Sequence, residues 1–319
     1  MSNSRAAKLT DEIGNARRLF KNGMLIVRNS MLEISAAKTI NIKPLYELVN
    51  DIISSLNRNQ DALLFACRHK PKDDYTTAHA LSTCIYIAAF CRHLKLDDKK
   101  ARDITIGALL GDVGKLRVSK ETLDKPGSLT EKEFLHVKKH AKYTYALLYA
   151  SKTFSETTIR AATEHHERLD GTGYPFGLAD SDISRGGLMT AIADVYDALV
   201  SPRVYQKAKE HSDVFKIMQE AKDSQFKSSM LKKFIQMVGV YPVGSMVALS
   251  NAKIAVVVDH GESDIHLPKV KTIFDLRKQS LIRGEESIEL EELNAKAGLN
   301  IIRPLAKNEI NLNPIALIA

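Results

Sequence analysis

Residues 165–175 read HHERLDGTGYP, and their meaning decides how the rest of the chain is understood. Successive residues on a helix point roughly 100° apart, so adjacent histidines cannot both face the same way down it. The pair His165-His166 therefore predicts a helix end where both rings turn inward. The following segment, Arg168 to Pro175, fits such an end. Gly171, Gly173 and Pro175 are turn-forming residues and could shape a bend without any chemistry. The two rings need partners elsewhere before they count as a site.

The chain has 10 histidines. His69, His93, His136, His211, His260 and His266 stand singly among charged or loop residues and read as solvated or capping groups. His79 alone would read as a satisfied core histidine. What changes the reading is co-occurrence within one helical region: His79, Asp112 of ALLGDVGKLR (108–117), His140, His165, His166, and Asp194 of AIADVYDAL. Hard divalent metals favour mixed imidazole and carboxylate donors, and a carboxylate can bridge two ions roughly 3.5–4 Å apart. Helices can present such ligands inward from several turns. Two readings stay open on these residues alone, a metal site or a coincidence of core histidines and caps.

Outward from this cluster, residues 73 to 236 read as helix after helix, broken at turn signals such as 95–98, 125–127 and 170–177. Upstream, Ile13, Ala16, Phe20, Met24, Val27, Met31 and Ile34 recur every three or four residues and predict an amphipathic helix over 10–34, with Thr10 at its start. A second helix is predicted from Pro44 to Leu56. These two have an apolar face and no chemistry, and read as a docking or dimerisation element. Downstream of Tyr241, Met246–Leu249 and Ile254–Val258 flank Ser250-Asn251 as a hairpin, continued by Val270–Phe274 and Ile288–Leu290. The expected organisation is an N-terminal helical linker or dimerisation region (1–70), a helical domain (71–240) and a small β-rich module (241–319).

Composition agrees with a folded, mainly α protein: 319 residues, 44% hydrophobic, 26% charged, with 16 Gly and 9 Pro. The net charge of +8 lies upstream, because residues 241–319 hold nine Lys/Arg and ten Asp/Glu. No basic, aromatic-interleaved stripe accompanies it, so nucleic acid is not expected, and a phosphate-bearing small ligand explains the field. The longest mostly apolar run, 80–91, is too short to span a bilayer. No secretory signal is read at the start, and a cytoplasmic protein is expected. Cys67, Cys84 and Cys91 form no CxxC pair and read as buried thiols.

ALLGDVGK, LDKPGSLTEKEF, KKHAKY, HHERLDGTGYPFGL and AIADVYDALVSPRVYQKA, in this order and spacing, resemble the HD-GYP family, HD-domain phosphohydrolases that hydrolyse cyclic di-GMP. The resemblance runs from about Tyr75 to Phe234 and implies an HD-type helical domain. It implies metal ligands at His79, Asp112, His140, His165, His166 and Asp194, with Asp112 bridging two ions. Iron or manganese is the expected metal, as one or two ions. Lys115 and Arg203 are expected at the ligand phosphate, each alternatively a salt-bridge partner of a nearby acid, and Tyr174 at the ligand pocket. Asp112 and Lys115 are thereby the implied catalytic residues. Asp197 is expected to hydrogen-bond a metal histidine. Tyr75 stands where members with a third metal carry glutamate, so no more than two ions are expected.

The chain departs from the family at Gly111, where the family has histidine. By that pattern one ion, on His79, Asp112 and Asp194, lacks a ligand, while the other, on Asp112, His140, His165 and His166, is complete. Smaller departures are Ala80, Gln206 and Lys227. The resemblance thus implies a cyclic di-GMP phosphodiesterase with impaired activity, with a non-catalytic cyclic di-GMP receptor, or a scaffold binding a diguanylate cyclase through the GYP face, as the alternatives. A homodimer is a further expected assembly.

Overall fold

The computed structural model describes residues 7–36, 41–71, 74–123, 125, 127–202, 208–261, 264–282, 284, 287–305, 309 and 316. The N-terminal periodicity gives α1 (Leu9–Ser35) and α2 (Lys43–Arg58), the latter with Pro44 in its first turn. Thr10 lies inside α1 and bonds Asp11 instead of capping the helix. α3 (Gln60–Arg68), which has no strong sequence period, starts where the Asn59 side chain accepts the Ala62 N–H.

α4 (Tyr75–His93) is buried on every side from Thr77 to Cys91. A helix apolar all round belongs at a centre, and the others pack about it. They are α5 (Asp98–Leu110), the short α6 (Lys120–Leu123), α7 (Glu131–Ser151), α8 (Glu156–Thr163), α9 (Arg185–Val200), α10 (His211–Glu220) and α11 (Ser228–Val238). Asp97, Ser155 and Ser184 cap α5, α8 and α9, and Thr130 with Glu133 forms a capping box on α7.

The apolar faces of α1 and α2 are not left open for a partner. Ala16, Phe20, Val27, Leu48 and Ile52 share one buried cluster with Leu81, Ile85, Tyr196 and Phe234. The expected docking face is thus largely covered by the chain itself, although Leu25 and Leu32 of α1 remain exposed. Cys67, Cys84 and Cys91 are buried free thiols, and burial pushes Cys67 and Cys91 up to about 12, far from reactive thiolates.

The C-terminal segment is an antiparallel sheet: β1 (Met246–Leu249), β2 (Lys253–Asp259), β3 (Lys269–Asp275), β4 (Ser280–Leu281), β5 (Ile288–Glu289) and, after α12 (Leu290–Ala297), β6 (Ile301–Pro304). The order is β4-β3-β2-β1-β6, with β5 on β3. The expected hairpin is β1–β2, in register Met246 with Val256 and Ala248 with Ile254. The run expected to extend through Leu290 instead turns into α12, whose Leu290 joins the sheet's core with Val247, Val257 and Val270. The sheet sits against α3: the Arg68 guanidinium donates to the Val243 carbonyl and Asp61 faces His260 Nε2 at 3.1 Å.

Candidate metal centre

Eight side chains from five stretches of helix or turn meet at one place. α4 brings His79 one turn from its start, and α9 brings Asp194 and Asp197 on one face at i, i+3 spacing. α5 ends at Leu110, and Asp112 stands in the turn before a 3-10 helix, Val113–Arg117, that carries Lys115. α7 supplies His140. α8 stops at Thr163, and the adjacent histidines follow its end, as the pair predicts.

Asp112 is central, with side-chain exposure of 5%. Its Oδ1 faces His140 Nε2 at 3.5 Å and His165 Nε2 at 3.9 Å. Its Oδ2 accepts from Lys115 Nζ at 2.7 Å and lies 3.9 Å from His79 Nε2. One carboxylate therefore addresses both halves of the cluster. Asp112, His140, His165 and His166 can place one ligand atom each within 4.8 Å of one another.

Whether a metal fits is decided by three orphaned atoms. His140 donates its Nδ1–H to the Val137 carbonyl and His165 its Nδ1–H to the Ala162 carbonyl, both at 2.8 Å. This fixes the tautomer and aims both Nε2 lone pairs inward. Those two Nε2 atoms and Asp112 Oδ1 are buried without a hydrogen-bond partner. Buried polar atoms left unpaired cost on the order of 1–3 kcal/mol each, so three converging acceptors call for a cation. Burial, with the Lys115 charge, pushes His140 down to about 4, and burial beside His165 holds His166 well below the usual histidine range. Both rings are neutral at pH 7 with lone pairs to give.

The other half is arranged differently. His79 Nε2 lies 2.8 Å from Asp194 Oδ1 and its Nδ1–H donates to Asp197 Oδ2 at 2.7 Å. His166 Nδ1 is 3.9 Å from Asp194 Oδ2, so Asp194 borders both groups. Burial opposes the charged forms of Asp112 and Asp194, yet Lys115 holds Asp112 and His79 holds Asp194 well below the carboxylate range. The expected hydrogen bond of Asp197 is present, on His79. Tyr75 stacks on His79, ring centroids 5.5 Å apart.

Gly111 is not in a helix interior: it is the residue after α5, in right-handed conformation with φ −50°. A Cβ there would meet His165 ring atoms and the Ala162 carbonyl at 3.4 Å, which is ordinary contact. A cavity of about 10 Å³ adjoins it, lined by His79, Ala80, Thr83, Asp112 and Asp194 among others. That is about the room one water needs. Ala80 thus belongs to this cavity, whereas Lys227 lies at the start of α11 with its Nζ 3.7 Å from Asp180.

Tyr174 reaches the site from the turn after the histidines, with its ring centroid 4.6 Å from that of His166 and 6.2 Å from that of His140. Lys115 is paired with Asp112 yet keeps 23% of its side chain exposed. Arg203 and Gln206 lie outside the described residues. Residues the sequence reading passed over hold the site from behind. Glu167, 2% exposed, accepts the N–H groups of Phe176 at 2.7 Å and Leu178 at 3.0 Å, and Glu164 accepts that of Ser184 at 2.7 Å. Gly173 is required by close approach, since a Cβ would stand 2.4 Å from the Arg168 nitrogen. Glutamate within HHER carries no signal that separates an inward latch from a solvated acid.

A profile of the HD domain matches residues 50–230. The chain is 34% identical over 271 residues to a cyclic di-GMP phosphodiesterase of Pseudomonas aeruginosa, a match covering 85% of this chain and 65% of that protein. It is 40% identical over 149 residues to the 3'3'-cGAMP-specific phosphodiesterase 3 of Vibrio cholerae, covering 47% of this chain and 32% of the relative. It spans about one third to two thirds of these relatives' lengths. The fold is similar to that of Bd1817, an HDG"Y"P protein from Bdellovibrio bacteriovorus, at TM-score 0.58 and 19% identity over 73% of each chain. No helix among the described residues is long and apolar enough to cross a membrane.

Proposed function

The chain belongs to the HD domain family, and from that premise we propose that it is a metal-dependent phosphodiesterase of cyclic di-GMP with slow turnover. The observation that carries this is the convergence of Asp112 Oδ1, His140 Nε2 and His165 Nε2, buried and unpartnered. With His166 they would hold one ion, and His79 and Asp194 would join Asp112 at a second. A divalent ion there supplies Lewis acidity to a phosphodiester oxygen and a nucleophile at neutral pH. Iron or manganese suits the mixed nitrogen and oxygen donors.

The chain's own residues do the rest. Asp112 orients both halves through its two oxygens. Lys115, within reach of Asp112 and partly exposed, offers its ammonium to the substrate phosphate. Arg203 is our second candidate for that contact. Tyr174 closes one side of the pocket against His166 and His140. Turnover is slow because Gly111 offers no ligand atom to the ion on His79, Asp112 and Asp194. The same glycine favours the second reading, a receptor that holds the dinucleotide without cutting it.

The exposed Phe176, Tyr145 and Tyr149 beside the GYP turn support a diguanylate cyclase domain as a docking partner, and Leu25 and Leu32 support a homodimer. We place the protein in the cytoplasm. The deciding experiment loads it with Fe(II) or Mn(II) under reducing conditions, measures metal content, and follows conversion of cyclic di-GMP to the linear dinucleotide. At least one tightly held ion and slow conversion are expected. Binding without product assigns the receptor, and no metal uptake removes the metal reading.

A further inference from the structure

Lys70 is a buried cation that the proposed chemistry does not use. Only 7% of its side chain is exposed, and an ammonium removed from water must be paired to be tolerated. Its partner is Asp197, 127 residues away and 1% exposed: Lys70 Nζ donates to Oδ1 at 2.7 Å and to Oδ2 at 2.5 Å, and it approaches Ser82 Oγ at 3.3 Å. Asp197 Oδ2 is the oxygen that also accepts from His79 Nδ1 at 2.7 Å. A carboxylate bonded through one oxygen can swing about its Cβ–Cγ bond. Held by an ammonium across both oxygens, it presents Oδ2 to the imidazole in one orientation.

The position of Lys70 is itself fixed. It follows α3, whose last residue, Arg68, donates to the Val243 carbonyl, and whose His69 cap bonds the Phe65 carbonyl at 2.9 Å. Pro71 comes next and restricts Lys70 to extended backbone. The side chain is thereby directed towards α4 and α9, where Ser82 stands three residues past His79 on the same face.

We propose that Lys70 is a positioning residue for the metal centre: through Asp197 it sets the ring of His79 so that Nε2 faces Asp194 and Asp112. The helices before residue 71 thereby contribute to a site whose ligands all come after it. This rests on the metal reading above. Groups that orient a metal-bound histidine change affinity by roughly 10- to 100-fold when removed.

The test uses the full chain as wild type, as Lys70→Met and as Lys70→Gln. The glutamine amide can still donate one hydrogen bond to Asp197, which keeps the buried carboxylate partnered where methionine could unfold the chain. Two measurements are made: metal affinity by competition with a chelator, and, in metal-free protein, the downfield NMR signal of the His79 Nδ1–H. Wild type should show the signal sharp. Both variants should lose or broaden it and bind the ion on the His79 side at least about tenfold more weakly, with the ion on His140 and His165 retained. A merely stabilising Lys70 would lower the unfolding temperature of the variants and leave whichever of them folds with wild-type affinity and signal. That result overturns the proposal. A wild type that takes up no metal overturns the metal reading instead, and this inference with it.

Discussion

His79 lies between two carboxylates, Asp197 on Nδ1 and Asp194 on Nε2, at 2.7 and 2.8 Å. Burial disfavours a charged ring, but the hydrogen bonds to Asp194 and Asp197 prevail and raise it from 6.5 to about 9. A group whose folded pKa exceeds its unfolded value stabilises fully below the unfolded pKa and ceases to do so as pH rises through the folded one. Metal-stripped protein should therefore lose stability between about pH 6.5 and 9, and His79→Gln should flatten that part of the profile. Denaturant titrations across this window check it, and equal slopes in both proteins would refute it. Uptake of an ion at His79 must expel the Nε2 proton, so it should tighten over the same range. At Gly111 the Cβ of a new side chain fits at 3.4 Å from the His165 ring and the adjoining cavity leads towards Asp112 and Asp194. Gly111→His should raise metal content towards two ions and speed hydrolysis of cyclic di-GMP by about tenfold, a barrier change of about 1.4 kcal/mol. Two ions with no faster hydrolysis would clear Gly111 of the proposed impairment.

Among the elements, the turn after α8 has its geometry held by one buried acid. Glu167 takes the Phe176 and Leu178 amides, one on each oxygen, and so pins the segment that carries Tyr174. Glu167→Ala strands two donors, at a cost of about 1–3 kcal/mol each where they stay buried. The expected result is faster proteolysis within 171–178 and weaker dinucleotide binding, while metal content stays near wild type because His140 and His165 are set by backbone carbonyls. Parallel loss of metal would instead make Glu167 part of the ligand framework. The HHERLDGTGYP stretch announced a helix end and a turn, and both are present. The latch did not show in it, because the pairing of a glutamate with amides 9 and 11 residues on depends on how the loop folds back.

Across the whole molecule, the sheet is fastened to the helices near Gly244. Its φ is +90°, and a Cβ there would stand 2.8 Å from the Phe65 ring of α3. Gly284 has φ +75° with nothing within 4 Å of its Cβ position. Alanine at either position meets backbone strain, of about 1 kcal/mol, but only Gly244→Ala also clashes. Thermal unfolding should therefore show a larger loss for Gly244→Ala than for Gly284→Ala, and similar losses would deny that contact a part in docking the sheet. Through Arg68 and Val243 the same junction borders Lys70, so displacement of the sheet should also weaken the ion on the His79 side.

The sequence by itself determined which histidines and aspartates come together, their order and the helices that carry them, because helical and strand periods are local and survive in a linear reading. It also identified the hairpin of β1 and β2 and the two N-terminal helices. Tertiary structure decided which oxygen of Asp112 faces which half of the centre, that the N-terminal helices bury their faces in the common core, and that the run to Leu290 ends in a helix. It alone joined Lys70 to Asp197 and Asp197 to His79, over 127 and 118 residues. Such pairings depend on how α3, α4 and α9 pack, and RHKPKDDY reads along the chain as an ordinary charged turn whichever way its lysine points.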